Sequence, residues 1–170
     1  MKKVRKFSMA YIYMKLVRQS GAPDYIARGV AIGFMVGMVV PISLQTFVAI
    51  PLAFALKAAK IPAFACTWVT NPISVIFIYP IQCWIGSYLI GSPLTLQKSE
   101  QMLENVVHNF TWDAFSSLGW QIVVSFFAGG ILFGAILAVP GYFISLYWVK
   151  KYREIKERKL KRRREKLKTV

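Results

Sequence analysis

The sequence predicts an all-α integral membrane protein, a small helical bundle with proline-broken or re-entrant helices and cytoplasmic basic tails. Three observations predict it. The stretches 29–56, 61–97 and 114–149 carry no charged residue, and each exceeds the roughly 20 apolar residues that a lipid-spanning helix needs. Two of them hold proline beside polar residues near their middles, as Pro41-Ile42-Ser43-Leu44-Gln45-Thr46 and Thr67-Trp68-Val69-Thr70-Asn71-Pro72. Proline frees backbone groups that lipid cannot satisfy, so such breaks are tolerated only where protein or a water-filled cavity covers them. The third observation is where the net charge of +15 sits. Residues 1–28 contribute +6, residues 150–170 contribute +9, and 29–149 balance to zero. Basic flanks mark the cytoplasmic side of membrane spans. Both termini are therefore expected in the cytoplasm, with an even number of crossings in a multi-pass inner-membrane protein.

Three regions follow: a basic interfacial helix within 1–20, a transmembrane domain over 21–149, and a polybasic cytoplasmic helix or tail over 150–170. In the first, Phe7, Tyr11 and Met14 share a side, and Lys15 and Arg18 cut short the apolar run. That pattern suits a helix lying in the membrane surface and not a cleavable signal. Gly21 is placed to end this helix and Asp24 to cap the next. Helix then runs from Tyr25 toward Val40, with Gly29, Gly33 and Gly37 on one face for close approach by another helix. Pro41 ends the run, and helix resumes over 46–56. The stretch 29–56 is too short for two full spans. It either crosses once, or dips in and returns with its tip at 41–45. The positive-inside bias places Lys57 and Lys60 in the cytoplasm and favours the return.

Pro62 is expected to start the next helix, Thr70-Asn71-Pro72 to break it, Pro80 to kink it, and Ser92-Pro93 to close it. A short amphipathic helix fits 97–109 through Met102, Leu103, Val106 and Val107, and its lack of net positive charge suits the outer face. The stretch 114–149 reads as one long span, kinked at Pro140-Gly141 and running on into the basic helix. Trp120, Tyr142, Tyr147 and Trp148 lie near its ends, where aromatic rings suit the interfaces. Gly129, Gly130 and Gly134 mark another close helix contact.

The motifs resemble a known family. Ala22-Pro23-Asp24-Tyr25-Ile26-Ala27-Arg28-Gly29-Val30-Ala31-Ile32-Gly33 resembles its opening. The two proline-containing motifs, extended to Ile73-Ser74, resemble its signatures, and Ile85-Gly86 follows at a suitable distance. The family is the bacterial membrane family labelled domain of unknown function 2062. The sequence departs from it at Lys60, where the family commonly has Asn. The resemblance implies little chemistry. Some members are fused to, or look like companions of, glycosyltransferases acting on polyprenyl phosphates, which implies envelope or lipid-carrier biology. A polyprenyl-phosphate-linked substrate or a glycosyltransferase partner would follow from that resemblance alone.

The residues themselves disfavour several classes. No Asp, Glu, His or Arg lies between 29 and 97, so neither a proton relay nor a general base with its nucleophile is assembled there. No catalytic residue, metal ligand or cofactor is expected. Cys66 and Cys83 lack metal or redox spacing and read as small packing residues, and His108 has no partner motif. The basic tail suits anionic lipid headgroups better than nucleic acid, because it adjoins a span. Neutral polar groups remain at the breaks: Ser43, Gln45, Thr46, Thr67, Thr70 and Asn71, beside the breaking Pro41 and Pro72 and with Gln82 nearby. They either repair the broken backbone or line a polar site where half-helix N-termini meet an anion, drawn in by a rim of Arg28, Lys57 and Lys60. The first reading suits a membrane scaffold or the partner subunit of an envelope-biosynthesis enzyme. The second suits a small transporter, channel or lipid flippase, and at 170 residues transport implies a homo-oligomer.

Overall fold

The computed structural model describes residues 21–95 and 119–168. The interfacial helix of 1–20, the helix of 97–109 and His108 lie outside them. Every regular element described is helical: α1 (Pro23–Val39), α2 (Gln45–Ala55), α3 (Lys60–Thr67), α4 (Val75–Leu89) and α5 (Gly119–Lys168). Among the described residues one helix, α5, is long and apolar enough to cross a membrane, and α2 and α4 are shorter apolar helices.

Pro23 occupies the first turn of α1, where its missing N–H costs nothing and its fixed φ suits the helix. The cap position is Ala22, without a side-chain bond. Asp24 is therefore not the cap. It turns instead to Arg28 and Tyr142. α1 stops at Val39, just before Pro41. α2 then runs back along α1. The return is fixed by the Ala59 N–H, which donates to the Tyr25 carbonyl at 3.0 Å, and by Arg28 Nη1, 3.4 Å from the Leu56 carbonyl. Residues 25–59 thus form a hairpin whose two ends meet, as the folded-back alternative expects.

α3 then climbs parallel to α1. A Cβ on Gly29 or Gly33 would strike the Ala59 or the Ala63 carbonyl, and one on Gly37 would press on the Thr67 backbone at 3.2 Å. The three glycines let the two backbones touch, as the sequence ladder predicts. Cys66 borders Gly33, and Ile32, Val36, Ala49, Ala53, Ala58 and Ala63 fill the space between α1, α2 and α3. The helix starts at Lys60, two residues ahead of Pro62, which lies in its first turn. After a break at 68–74, α4 continues onward, with Pro80 inside it. It packs antiparallel on the first part of α5, where a Cβ on Gly86 would fall on the Ser125 carbonyl and one on Gly129 on the Gln82 carbonyl.

α5 is a single helix of 50 residues. The expected span and the expected basic tail are one element, because Pro140 sits inside the helix without ending it. Its middle runs antiparallel to α1: Gly130 lies at Met38, Gly134 at Met35 and Gly141 at Phe34. At the base, Val149 packs with Ile26 and Ala59, and Arg153 donates to the Gly21 carbonyl. Outside this core the surface is strongly apolar. Phe47, Phe54, Ile73, Phe77 and Trp120 are among the most exposed large side chains. Apolar surface on this scale marks a protein or membrane contact.

Candidate functional site

The two breaks lie side by side, and their neutral polar residues form one junction. It begins with the end of α1, whose last carbonyls have no partner within the helix. Pro41 cannot donate to any of them. Val40 N–H takes the Val36 carbonyl at 2.9 Å. Gln45 Nε2 lies 3.0 Å from the Gly37 carbonyl, 3.0 Å from the Val40 carbonyl and 2.7 Å from Thr70 Oγ1. All three are acceptors here, so the amide nitrogen and not the oxygen must face them, and its two hydrogens are shared among three sites. Thr70 Oγ1 has one hydrogen for the Gly37 carbonyl at 2.7 Å and the Thr67 carbonyl at 3.2 Å; the shorter contact is the stronger claim on it. Gln82 Nε2, from α4, takes the Met38 carbonyl at 3.0 Å and the Phe126 carbonyl at 2.9 Å. Two glutamines and a threonine therefore cap α1 from three different segments.

The second break is repaired locally. Asn71 Oδ1 accepts from the N–H groups of Ile73 and Ser74 at 2.9 and 3.0 Å, and the Ser74 hydroxyl lies 2.9 Å from the Val69 carbonyl. This side-chain turn satisfies the approach to α4. Thr67 Oγ1 donates to the Phe64 carbonyl of its own helix at 2.8 Å. Ser43 and Pro72 are exposed at the rim of the junction, and Pro41 and Thr46 are half-buried.

Of the residues expected at a polar site, the structure joins Gln45 and Thr70 directly and places Thr67, Asn71 and Pro41 around them. It separates the basic rim from that junction. Arg28, Lys57 and Lys60 lie at the other end of the hairpin, about 16 Å away for the 11 residues of α2 at 1.5 Å each. The expected single site, polar groove plus anion-attracting rim, is two places. At the base, Lys57 is the one described non-glycine residue with positive φ, at 47°. Its N–H takes the Phe54 carbonyl at 3.1 Å, and the Ala58 N–H takes the Ala53 carbonyl at 2.7 Å. These are the paired bonds of a helix-ending turn whose left-handed position glycine usually fills. Lys60 Nζ stands 4.6 Å from the centre of the Phe54 ring. Arg28 Nη2 pairs with Asp24 Oδ2 at 2.9 Å, and Tyr142 Oη donates to Asp24 Oδ1 at 2.5 Å, tying α5 to the hairpin.

A family model described as uncharacterized protein conserved in bacteria, DUF2062, matches residues 6–158. The chain belongs to this family. No curated protein and no solved structure matches it. The family match covers the hairpin, both breaks and most of α5, so the junction and the basic base are both parts of the DUF2062 domain. Sequence reasoning missed Tyr79, which is buried beside the junction. An aromatic residue in an apolar helix carries no signal of its own. The Asp24–Tyr142 bond was equally invisible, since its partners are 118 residues apart.

Proposed function

We propose that this DUF2062 protein is a bacterial inner-membrane protein that binds the phosphate of anionic lipids at the base of its re-entrant hairpin, in the manner of a flippase-like lipid-handling protein. Polyprenyl phosphates belong to the same ligand class. In this reading α1 and α2 dip into the bilayer and return, α3 and α4 together cross it as one broken span, and α5 crosses back. Both termini then lie on the cytoplasmic side, in keeping with the positive charge of the ends.

The observation that carries the reading is Lys57. A side chain held in the left-handed region costs on the order of 1 kcal/mol, and glycine there would relieve it. The favourable charge of a cation at the end of α2 offsets a part of that. The left-handed turn puts a lysine at the membrane-facing base, three residues before Lys60, which stands over the exposed Phe54 ring, and next to Leu56, whose carbonyl Arg28 contacts. Cations over apolar surface suit a phosphate headgroup with its acyl chains. The test is native mass spectrometry of the full chain released from bilayers of mixed anionic and zwitterionic lipid. Preferential retention of anionic lipid, reduced in Lys57→Gly and Lys60→Gln, is expected. Equal retention of both lipids in the wild type would sink the proposal.

A second reading is favoured by a separate observation. The polar groups at the breaks are spent largely on the chain's own carbonyls, which suits a scaffold or partner subunit that moves nothing across the membrane. Transbilayer movement of a fluorescent anionic lipid in proteoliposomes separates the two. Movement lost in Lys57→Gly supports lipid transfer, and binding without movement supports the scaffold.

A further inference from the structure

The face of α4 that meets the first break carries two polar atoms that the junction does not use. Tyr79 is 6% exposed and Gln82 is 0% exposed, and neither the Tyr79 hydroxyl nor Gln82 Oε1 has a hydrogen-bond partner among the described residues. Three positions apart, they share one face of α4. Both also adjoin Phe126. The Tyr79 hydroxyl lies beside the Ile42 backbone and the Gln45 side chain. The Tyr79 ring meets the Phe126 ring edge-on at 4.9 Å, and the Gln82 amide bonds the Phe126 carbonyl. Gln82 cannot turn to hide its oxygen, because its nitrogen must face the Met38 and Phe126 carbonyls. Gly130 lets α5 pack directly on this amide: a Cβ there would stand 2.9 Å from Gln82 Nε2 and 2.8 Å from the Met38 carbonyl.

One of the two atoms is an acceptor that lacks a donor, and the other group has a proton to donate. Buried groups of this kind are rare in folded proteins, and each calls for an explanation such as a bound guest. We propose that Tyr79 Oη and Gln82 Oε1 together hold one hydroxyl group, of water or of an alcohol, which accepts from Tyr79 and donates to Gln82. An ion fits poorly. The residues named around the pair (Met38, Ile42, Gln45 and Phe126) are uncharged, and a buried charge needs a paired partner. The site lies where α1, α2, α4 and α5 come together, so an occupant bonds the broken span to the tip of the hairpin. The inference is independent of the lipid-binding reading, since the base is a hairpin length away.

The test is magic-angle-spinning NMR of the full chain in bilayers, reading magnetisation transfer to the Gln82 side-chain amide. Transfer from a proton at the water frequency is expected in the wild type and identifies water. Transfer from carbon-bound protons beside an oxygen, seen with protonated but not deuterated lipid, identifies an alcohol. Absence of both overturns the site. Tyr79→Phe removes one of the two ligands and is expected to abolish the transfer; unchanged transfer overturns the shared site. The second measurement is the unfolding equilibrium of Tyr79→Phe in the wild-type and Gln82→Leu backgrounds. A shared guest predicts that the effect of Tyr79→Phe differs between them by about fivefold, the worth of one hydrogen bond. Equal effects in the two backgrounds overturn it.

Discussion

Gln45 Nε2 and Thr70 Oγ1 stand 2.7 Å apart although 25 residues separate them in the chain. Through this contact the tip of the hairpin and the break between α3 and α4 become one structure. Each side chain also takes up the Gly37 carbonyl, so both stabilise the same helix end.

Removing Gln45 strands the Val40 carbonyl, which has no other bond among the described residues. A buried polar group left unpaired costs roughly 1–3 kcal/mol, so Gln45→Leu is expected to destabilise by about that much. Thr70→Val should cost less, because Gly37 keeps its bond from Gln45. Thr70→Ser should restore stability by returning the hydroxyl. Reversible denaturation in mixed micelles measures all three, and a Thr70→Ser variant no more stable than Thr70→Val would argue against the hydroxyl's role.

The glycine ladder makes a steeper prediction. A side chain at Gly33 meets the Ala63 backbone and Cys66 Cβ, neither of which can swing aside, so Gly33→Val should cost about 3 kcal/mol or more, at the upper end of overpacking. Gly91 is the control. Nothing lies within 4 Å of a Cβ there, but its φ is +69°. Gly91→Ala should cost only about 1 kcal/mol, through the backbone alone. Comparable losses at the two positions would mean that α1 and α3 are not held by backbone contact.

Lys57→Gly should move stability and lipid binding in opposite directions. Relief of the left-handed φ is expected to stabilise by about 1 kcal/mol, while anionic-lipid retention falls. Stabilisation with unchanged retention would reduce Lys57 to a strained turn residue.

Topology is open to single-cysteine labelling in a Cys66→Ala, Cys83→Ala background. Lys60→Cys, at the hairpin base, and Leu160→Cys, on the basic end of α5, are both exposed. They should react with an impermeant reagent from the same side, and Pro93→Cys, beyond α4, from the other. Lys60→Cys and Leu160→Cys reacting from opposite sides would rule out the re-entrant hairpin.

What the sequence determined by itself was local or pattern-like. Pro41 and Pro72 lack an N–H, so the breaks beside them are written into single residues. Gly29, Gly33 and Gly37 recur at helical spacing, so a close helix contact was legible without knowing the partner. Excess positive charge confined to the ends and the long uncharged stretches between pointed to the all-helical class. Tertiary structure decided who meets whom. Spacing places a side chain on a face of its helix but does not say which element packs against that face. Whether Gln45 finds Thr70, whether Gln82 reaches Met38 across 44 residues and whether Asp24 caps α1 or bonds Tyr142 depend on how the helices are stacked. The basic rim is the plainest case. The sequence sets Lys57 and Lys60 between the two polar motifs, and only the hairpin's return to Tyr25 carries them to the opposite end from the junction.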